Sequence, residues 1–373
     1  LRLKRLSTAH FRNLRDETIS FSPGVNLLVG GNGEGKTNVL EALSIFKIGR
    51  SFRTSRDTDL VAFSEPFCRV EVAVEKNASG AGSFALSIER NGDKRVKVDD
   101  KDLDKLSDLV GSYPCVLFGP QDLEIVSGPP EERRRFLDVT GSVTDRSYLE
   151  ALRRYRRVLG QRNALLKSAA PSADRAVWDS ELVRAGCAMI EHRLGLIDGL
   201  SGHLARHIEA LGVSSQVDLV YESDVSGELP EGVSREELFA AELAGVEDDE
   251  ARRRTTLVGP HRDDLRILLD GRDLRRFGSQ GQRRLVAVLL RLTELSYSEE
   301  KLGEPCVMLL DDLFSELDPS VSSRLRALLE NDHQIFVTSP IALDWGSGEA
   351  AHDNGAPRPP VATFHVEKGK VSQ

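Results

Sequence analysis

The chain has 373 residues, 40% of them hydrophobic and 29% charged, enough for a sizeable core and for one large or two smaller domains. Lys and Arg number 50 against 59 Asp and Glu, a net charge of −9 that excludes a uniformly basic nucleic-acid binder but not a local basic patch. No apolar run approaches the roughly 18–20 residues of a membrane helix. Leu1–Arg5 leads into no signal-peptide core, and the four cysteines (Cys68, Cys115, Cys187, Cys306) are too scattered for a zinc site or disulfide framework. A cytoplasmic protein with reduced thiols is expected.

In chain order, residues 1–7 and 18–21 alternate as strands, and Val25-Asn26-Leu27-Leu28-Val29 is a short apolar strand ending at Gly30-Gly31. A helix is predicted after residue 35. Residues 67–76 and 84–98 alternate again, the second stretch broken by the hairpin signal Asn91-Gly92. After Pro129-Pro130 the spacing turns helical to about Leu211. From Tyr221 to Glu250 eleven acids face one Arg, which accounts for the negative balance of the whole chain. Strand character returns at Leu265–Leu269 with a turn at Asp270-Gly271, a helix is predicted from Gly281 to Tyr297, and Cys306–Leu310 and Gln334–Thr338 read as buried strands. Residues 343–360 read as a flexible loop, and a hairpin around Phe364–Lys370 closes the chain.

Gly30-Gly31-Asn32-Gly33-Glu34-Gly35-Lys36-Thr37 fits G-x-x-x-x-G-K-[ST], between a strand and a helix. The glycines let backbone N–H groups point at a phosphate chain, and the helix N-terminus adds its positive end. Lys36 is expected to reach the β- and γ-phosphates and Thr37 to complete a Mg²⁺ shell, with Asn38 continuing the site. The loop therefore predicts a nucleoside triphosphate and Mg²⁺ as ligands. Val307-Met308-Leu309-Leu310-Asp311-Asp312, with Asp311 275 residues after Lys36, fits a Walker B strand. Asp311 is expected to bind the metal and Asp312 to act as general base on the attacking water, which makes Lys36 and Asp312 the catalytic candidates.

Ser279-Gln280-Gly281-Gln282, with Gly281 30 residues before Asp311, opens a helix and resembles the signature motif of ABC-type ATPases; Ser315-Glu316-Leu317-Asp318 resembles their D-loop. The form of the phosphate loop, with Asn38, Leu40-Glu41-Ala42, Phe11-Arg12-Asn13, Gly49-Arg50-Ser51-Phe52-Arg53 and Gly259-Pro260-His261-Arg262-Asp263-Asp264, is similar to that of the RecF family, in the SMC-like branch of those ATPases. Arg133-Arg134-Arg135-Phe136-Leu137-Asp138 and residues 161–167 match it as well.

This resemblance implies an α/β fold: an ABC-type P-loop ATPase head, with a mixed sheet plus an N-terminal antiparallel sheet, formed by residues 1–130 and 251–373, and an inserted helical lobe at 131–250. It implies a weak ATPase and an ATP-dependent homodimer, each ATP held between one phosphate loop and the partner's Ser279–Gln282. Gln121 takes the Q-loop position, on ATP and Mg²⁺. The switch position, usually His, is here Thr338 or Ser339, and Asp312 stands where Glu is usual; both departures point to slow hydrolysis. The family binds double-stranded and gapped DNA near the nucleoid in replication-associated repair, and with RecR and RecO helps to load RecA.

From Arg133 to Lys167 ten basic residues stand against three acids. Arg133, Arg134, Arg153, Arg154, Arg156 and Arg157, with Arg50 and Arg53 near the phosphate loop, are the DNA-contact candidates, through salt-dependent phosphate contacts. The competing expectation is a solvated helix face paired with the acidic stretch, and Arg12, Arg50 and Arg53 could face the nucleotide instead. The alternative function is the nucleotide-binding subunit of an ABC transporter. The 245 residues between Lys36 and Gly281 argue against it. A small-molecule P-loop kinase has no use for the signature or the D-loop.

Overall fold

In the computed structural model the chain divides into two compact units, Leu1–Asp122 with Glu294–Gln373, and Leu123–Thr293. The described residues are all except 77–79, 169–170, 226–231, 316, 330–332, 344 and 346–359; of residues 172, 173 and 315 only the backbone is described. Glu316 of the D-loop-like stretch and nearly all of the loop expected at 343–360 therefore lie outside the described residues. The helical unit extends beyond the expected 131–250. Its strand Val217–Glu222 pairs antiparallel with Asp264–Leu269, and Arg133 is bound to Asp264, so residues past 250 belong to the same packing.

The first unit holds two six-stranded sheets. The antiparallel sheet runs in the order Glu17–Ser20, Arg2–Ala9, Phe67–Lys76, Gly80–Glu89, Lys94–Val98, Lys101–Asp102. Alternation sets its register: Val70, Val72 and Val74 point into the core while Arg69, Glu71 and Glu75 point away. The mixed sheet runs Lys370–Ser372, Val361–Glu367, Val25–Val29, Ile335–Ser339, Val307–Leu310, Cys115–Phe118. All its neighbours are parallel except the closing hairpin. Its central strands Val25–Val29, Ile335–Ser339 and Val307–Leu310 are buried along their whole length, as continuous apolar runs in parallel sheets are. One core joins the sheets, and Phe84 meets Tyr113 edge to face at 5.1 Å within it.

The second unit is mainly helical: Pro130–Thr144, Arg146–Lys167, the 39-residue Ser172–Ala210, Arg235–Gly245 and Glu247–Arg253. Pro130 opens the first of these, where its missing N–H costs nothing. Asp145 caps the second by accepting from Ser147 N at 2.8 Å, and Ser234 with Glu237 forms a capping box on the fourth. Strand Val217–Glu222, which runs into the start of the acidic stretch, was not foreseen. The chain returns to the first unit within the helix Gln280–Leu302.

Candidate functional site

The phosphate loop leaves the buried strand Val25–Val29 and enters the helix Lys36–Ser44. Gly35 is the N-cap at φ +116°, which a side chain rarely adopts, and no side chain caps this helix. Its first N–H groups are thus left for an anion. Lys36, 5% exposed, turns its ammonium into the loop, donating to the carbonyl oxygens of Gly30 at 2.7 Å and Gly31 at 2.8 Å. Glycine backbone, uncapped helix start and buried ammonium together fit a polyphosphate. Gly33 has open space where a side chain would stand, and Asn32 and Glu34 complete the turn.

Parallel pairing brings the distant acids to the same end of the sheet. Leu310 is level with Val337 on one side and Phe118 on the other, so Asp311 emerges beside Thr338, with its N–H on the Phe118 carbonyl at 2.8 Å. Asp311 Oδ1 accepts the Thr37 hydroxyl at 3.0 Å and the Thr338 hydroxyl at 2.7 Å. Burial pushes the Asp311 carboxyl above its ordinary value, and these two hydroxyl bonds pull it partly back. One hydroxyl and one carboxylate, both hard oxygens, suit Mg²⁺, which takes its remaining ligands from phosphate and water. Among the described residues no three His, Cys, Asp or Glu gather into a metal cluster, so a self-sufficient protein cage for a cation is absent there.

Asp312 sits at φ +50°, unusual for a residue with a side chain, and its N–H donates to Thr338 Oγ1 at 2.9 Å. Gln121 follows strand Cys115–Phe118 in a short turn, pinned where Asp122 accepts the Gly119 N–H at 2.9 Å. The Gln121 Nε2 is buried with no hydrogen-bond partner among the described residues, as suits a side chain that reorients on a ligand. His333 lies elsewhere, against Glu299 and the Leu329 carbonyl.

A polar web behind the loop was only partly legible. Glu41, fully buried, accepts Arg12 through both guanidinium arms at 2.9 and 2.8 Å, Ser51 at 2.5 Å and Arg53 at 3.4 Å. Arg53 also donates to Asn38 Oδ1 at 2.6 Å, Asn38 donates to Asn13 Oδ1 at 2.6 Å, and Asn13 to the Gly33 carbonyl at 3.2 Å. Arg53 therefore sits beside the nucleotide loop. Arg50 is exposed. Asn13 was missed as a site residue, although it follows Arg12 in a stretch the sequence did single out.

In the helical unit the signature-like residues start the helix Gln280–Leu302 and are exposed, with open space beside Gly281. Ser279 N donates to Gln282 Oε1 at 2.8 Å and Gln282 N to Ser279 Oγ at 3.2 Å, a reciprocal cap that satisfies two N–H groups at this end.

The arginines separate by helix face. Arg133 is buried, paired through both arms with Asp264 at 2.7 and 2.8 Å and bonded to the Gly128 carbonyl at 2.9 Å, so it has no surface to offer phosphate. Arg134 donates to the Asp263 carbonyl at 2.5 Å and is mostly covered. Arg153, Arg154, Arg156 and Arg157 are exposed on both flanks of buried Tyr155, with Arg154 paired to Glu181 at 2.8 Å and Arg156 to Asp138 at 3.2 Å. The acidic stretch reaches the same helix through Glu250, paired with buried Arg162 at 2.6 Å, while Glu247 pairs with Arg175 at 2.7 Å.

The family model RecF/RecN/SMC N terminal domain matches residues 2–342. The DNA replication and repair protein RecF of Symbiobacterium thermophilum is 39% identical over 344 residues, covering 90% of each chain. That of Heliobacterium modesticaldum is 37% identical, covering 91% of this chain and 92% of its own. Among solved structures, the recombination mediator protein RecF with ATP in the RecFOR pathway superposes with a TM-score of 0.89 at 32% identity, covering 100% of this chain and 97% of the other. An Smc head domain from Pyrococcus furiosus, at 15% identity and a TM-score of 0.54, shares the fold.

Proposed function

Because the chain belongs to the RecF family of SMC-like ABC-type ATPases, whose curated members are DNA replication and repair proteins, we propose that it is an ATP-gated, DNA-binding recombination mediator. The observation that carries this reading is the meeting of Thr37, Asp311 and Thr338 at one end of the parallel sheet, in front of a phosphate loop whose lysine is already turned inward. Mg²⁺, when bound, neutralises phosphate charge there. The chain's own part is to hold the triphosphate on the N–H groups of residues 30–38, to orient it with Lys36 and Gln121, and to place Asp312 where it takes a proton from the attacking water.

Two copies pair head to tail, and each Ser279–Gln282 helix start meets the γ-phosphate held by the other copy. The reciprocal cap between Ser279 and Gln282 gives way at that moment, freeing two N–H groups for the phosphate. The exposed arginines of the helix Arg146–Lys167 then supply phosphate contacts to duplex DNA, individually weak and doubled by the dimer. The ATP-bound relative described in the RecFOR pathway supports RecR and RecO as partners, with RecA loading at gapped DNA as the outcome. Hydrolysis by an Asp base in place of Glu is slow and resets the dimer.

Paired variants test this. Asp312→Asn retains ATP-dependent DNA capture while turnover falls on the order of a hundredfold. Lys36→Arg loses both, since a guanidinium cannot replace the compact ammonium between the Gly30 and Gly31 carbonyls. Parent-rate hydrolysis by Asp312→Asn, or undiminished ATP binding by Lys36→Arg, contradicts the assignment.

A further inference from the structure

The strand Ile335–Ser339 lies between the strand that leads to the phosphate loop and the strand that leads to Asp311 and Asp312. Thr338 is its one residue that hydrogen-bonds by side chain to the Walker B pair among the described contacts. It is level with Leu28 on one side and, one step past the Val337–Leu310 pair, with Asp311 on the other. Thr338 is 1% exposed, and its hydroxyl bonds in both directions: the proton goes to Asp311 Oδ1 at 2.7 Å, and the oxygen accepts the Asp312 N–H at 2.9 Å.

We propose that Thr338 is a positioning residue for metal and water activation: its single hydroxyl locks the Asp311 carboxylate toward Thr37 and holds the Asp312 backbone in its positive-φ conformation. This rests on the reading of the site as an ATP–Mg²⁺ site. The two bonds act on different residues through one oxygen. Asp311 is kept from rotating away from the Thr37 hydroxyl, which shares Oδ1 with Thr338 at 3.0 Å. Asp312 is kept in a conformation that an L-residue leaves readily unless its surroundings fix it. A buried hydroxyl whose bonds go to both acids acts through them. Ser339 does not share this role: its carbonyl accepts the Gly30 N–H at 3.3 Å and its hydroxyl accepts the Ile341 N–H at 3.3 Å.

Valine matches threonine in shape and removes only the hydroxyl, and serine keeps the hydroxyl and removes only a methyl group. Thr338→Val and Thr338→Ser are compared with the parent in two titrations of the full chain. The first follows binding of a fluorescent non-hydrolysable ATP analogue against Mg²⁺, and the second follows steady-state hydrolysis. Loss of a group that orients a metal ligand raises the half-saturating Mg²⁺ concentration on the order of tenfold and lowers kcat by a similar factor, with KM for ATP at saturating Mg²⁺ within twofold. Serine restores both. A Thr338→Val protein with the parent's Mg²⁺ midpoint overturns the proposal, as does a Thr338→Ser protein as impaired as the valine variant. If the parent hydrolyses nothing above the Lys36→Arg background, the ATPase reading fails on its own, and the Mg²⁺ midpoint of nucleotide binding still decides the role of Thr338.

Discussion

The closing hairpin is a brace for the phosphate loop, and Gly369 is where that brace is tested most sharply. Gly369 N donates to the Glu34 carbonyl at 2.9 Å, Lys368 N donates to the Glu34 carboxylate, and the Gly369 carbonyl accepts from Arg15 N at 2.9 Å. Gly369 adopts φ +76°, and a Cβ there would overlap the Asn13 carbonyl oxygen and lie 2.8 Å from its carbon. Gly369→Ala therefore combines a conformational cost of roughly 1–2 kcal/mol with backbone displacement worth about 1–3 kcal/mol more. The matched control is Gly92→Ala in the same unit, at φ +100° with nothing within 4 Å, which has the conformational cost alone. Pushing Asn13 back also loosens its bond to the Gly33 carbonyl, so the defect reaches the nucleotide site. Urea denaturation is expected to show a loss at Gly369 about twice that at Gly92 or greater. ATP affinity falls on the order of tenfold, about 1.4 kcal/mol, in Gly369→Ala only. Equal losses with unchanged affinity in both variants refute the brace.

Two other outcomes follow from the helical unit. Arg133→Ala removes one partner of a buried pair and is expected to cost about 3 kcal/mol of stability, whereas Arg157→Ala leaves stability unchanged, weakens binding to every duplex sequence and lowers the salt slope by about 1; denaturation curves and a salt series of DNA titrations separate them. Burial holds the His261 imidazole down to about 4, below its ordinary 6.5, so it folds neutral. Its contribution is fully present above pH 6.5 and is lost as pH falls toward 4, about 3 kcal/mol in all. His261→Gln flattens that decline in urea midpoint, and an unchanged pH profile rules out this His as a cause.

The nucleotide half of the site is legible in sequence because its chemistry is local. Eight consecutive residues carry the phosphate loop, and an apolar strand ending in Asp311-Asp312 can carry little else once that loop is present. The link between them is not local. That Thr37 and Thr338 converge on one carboxylate oxygen follows from strand order and register, which periodicity does not encode. Thr338 could be marked only together with Ser339, as one of two candidates for a switch position.

The arginines show a different limit. Arg133, Arg134 and Arg135 are identical as letters, but at 100° per residue the helix turns the first inward, onto an Asp264 that lies 131 residues away. No local pattern announces that partner. Arg153, Arg154, Arg156 and Arg157, by contrast, flank Tyr155 on a helix that buries the tyrosine and leaves all four exposed. The strand Val217–Glu222 escaped notice because Asp218 and Glu222 blur its alternation next to a longer acidic run.

The measurement that bears most directly on the account is sedimentation of the parent and of Ser279→Arg, each with and without ATP–Mg²⁺ and duplex DNA. Ser279 is exposed at a helix start with its side chain in solvent, so added bulk there leaves the monomer's fold intact. The account predicts a parent that dimerises only with ATP and then retains DNA, and a variant that binds ATP yet stays monomeric and releases DNA. A variant that dimerises as the parent does, or a parent that holds DNA as a monomer with ATP bound, contradicts it.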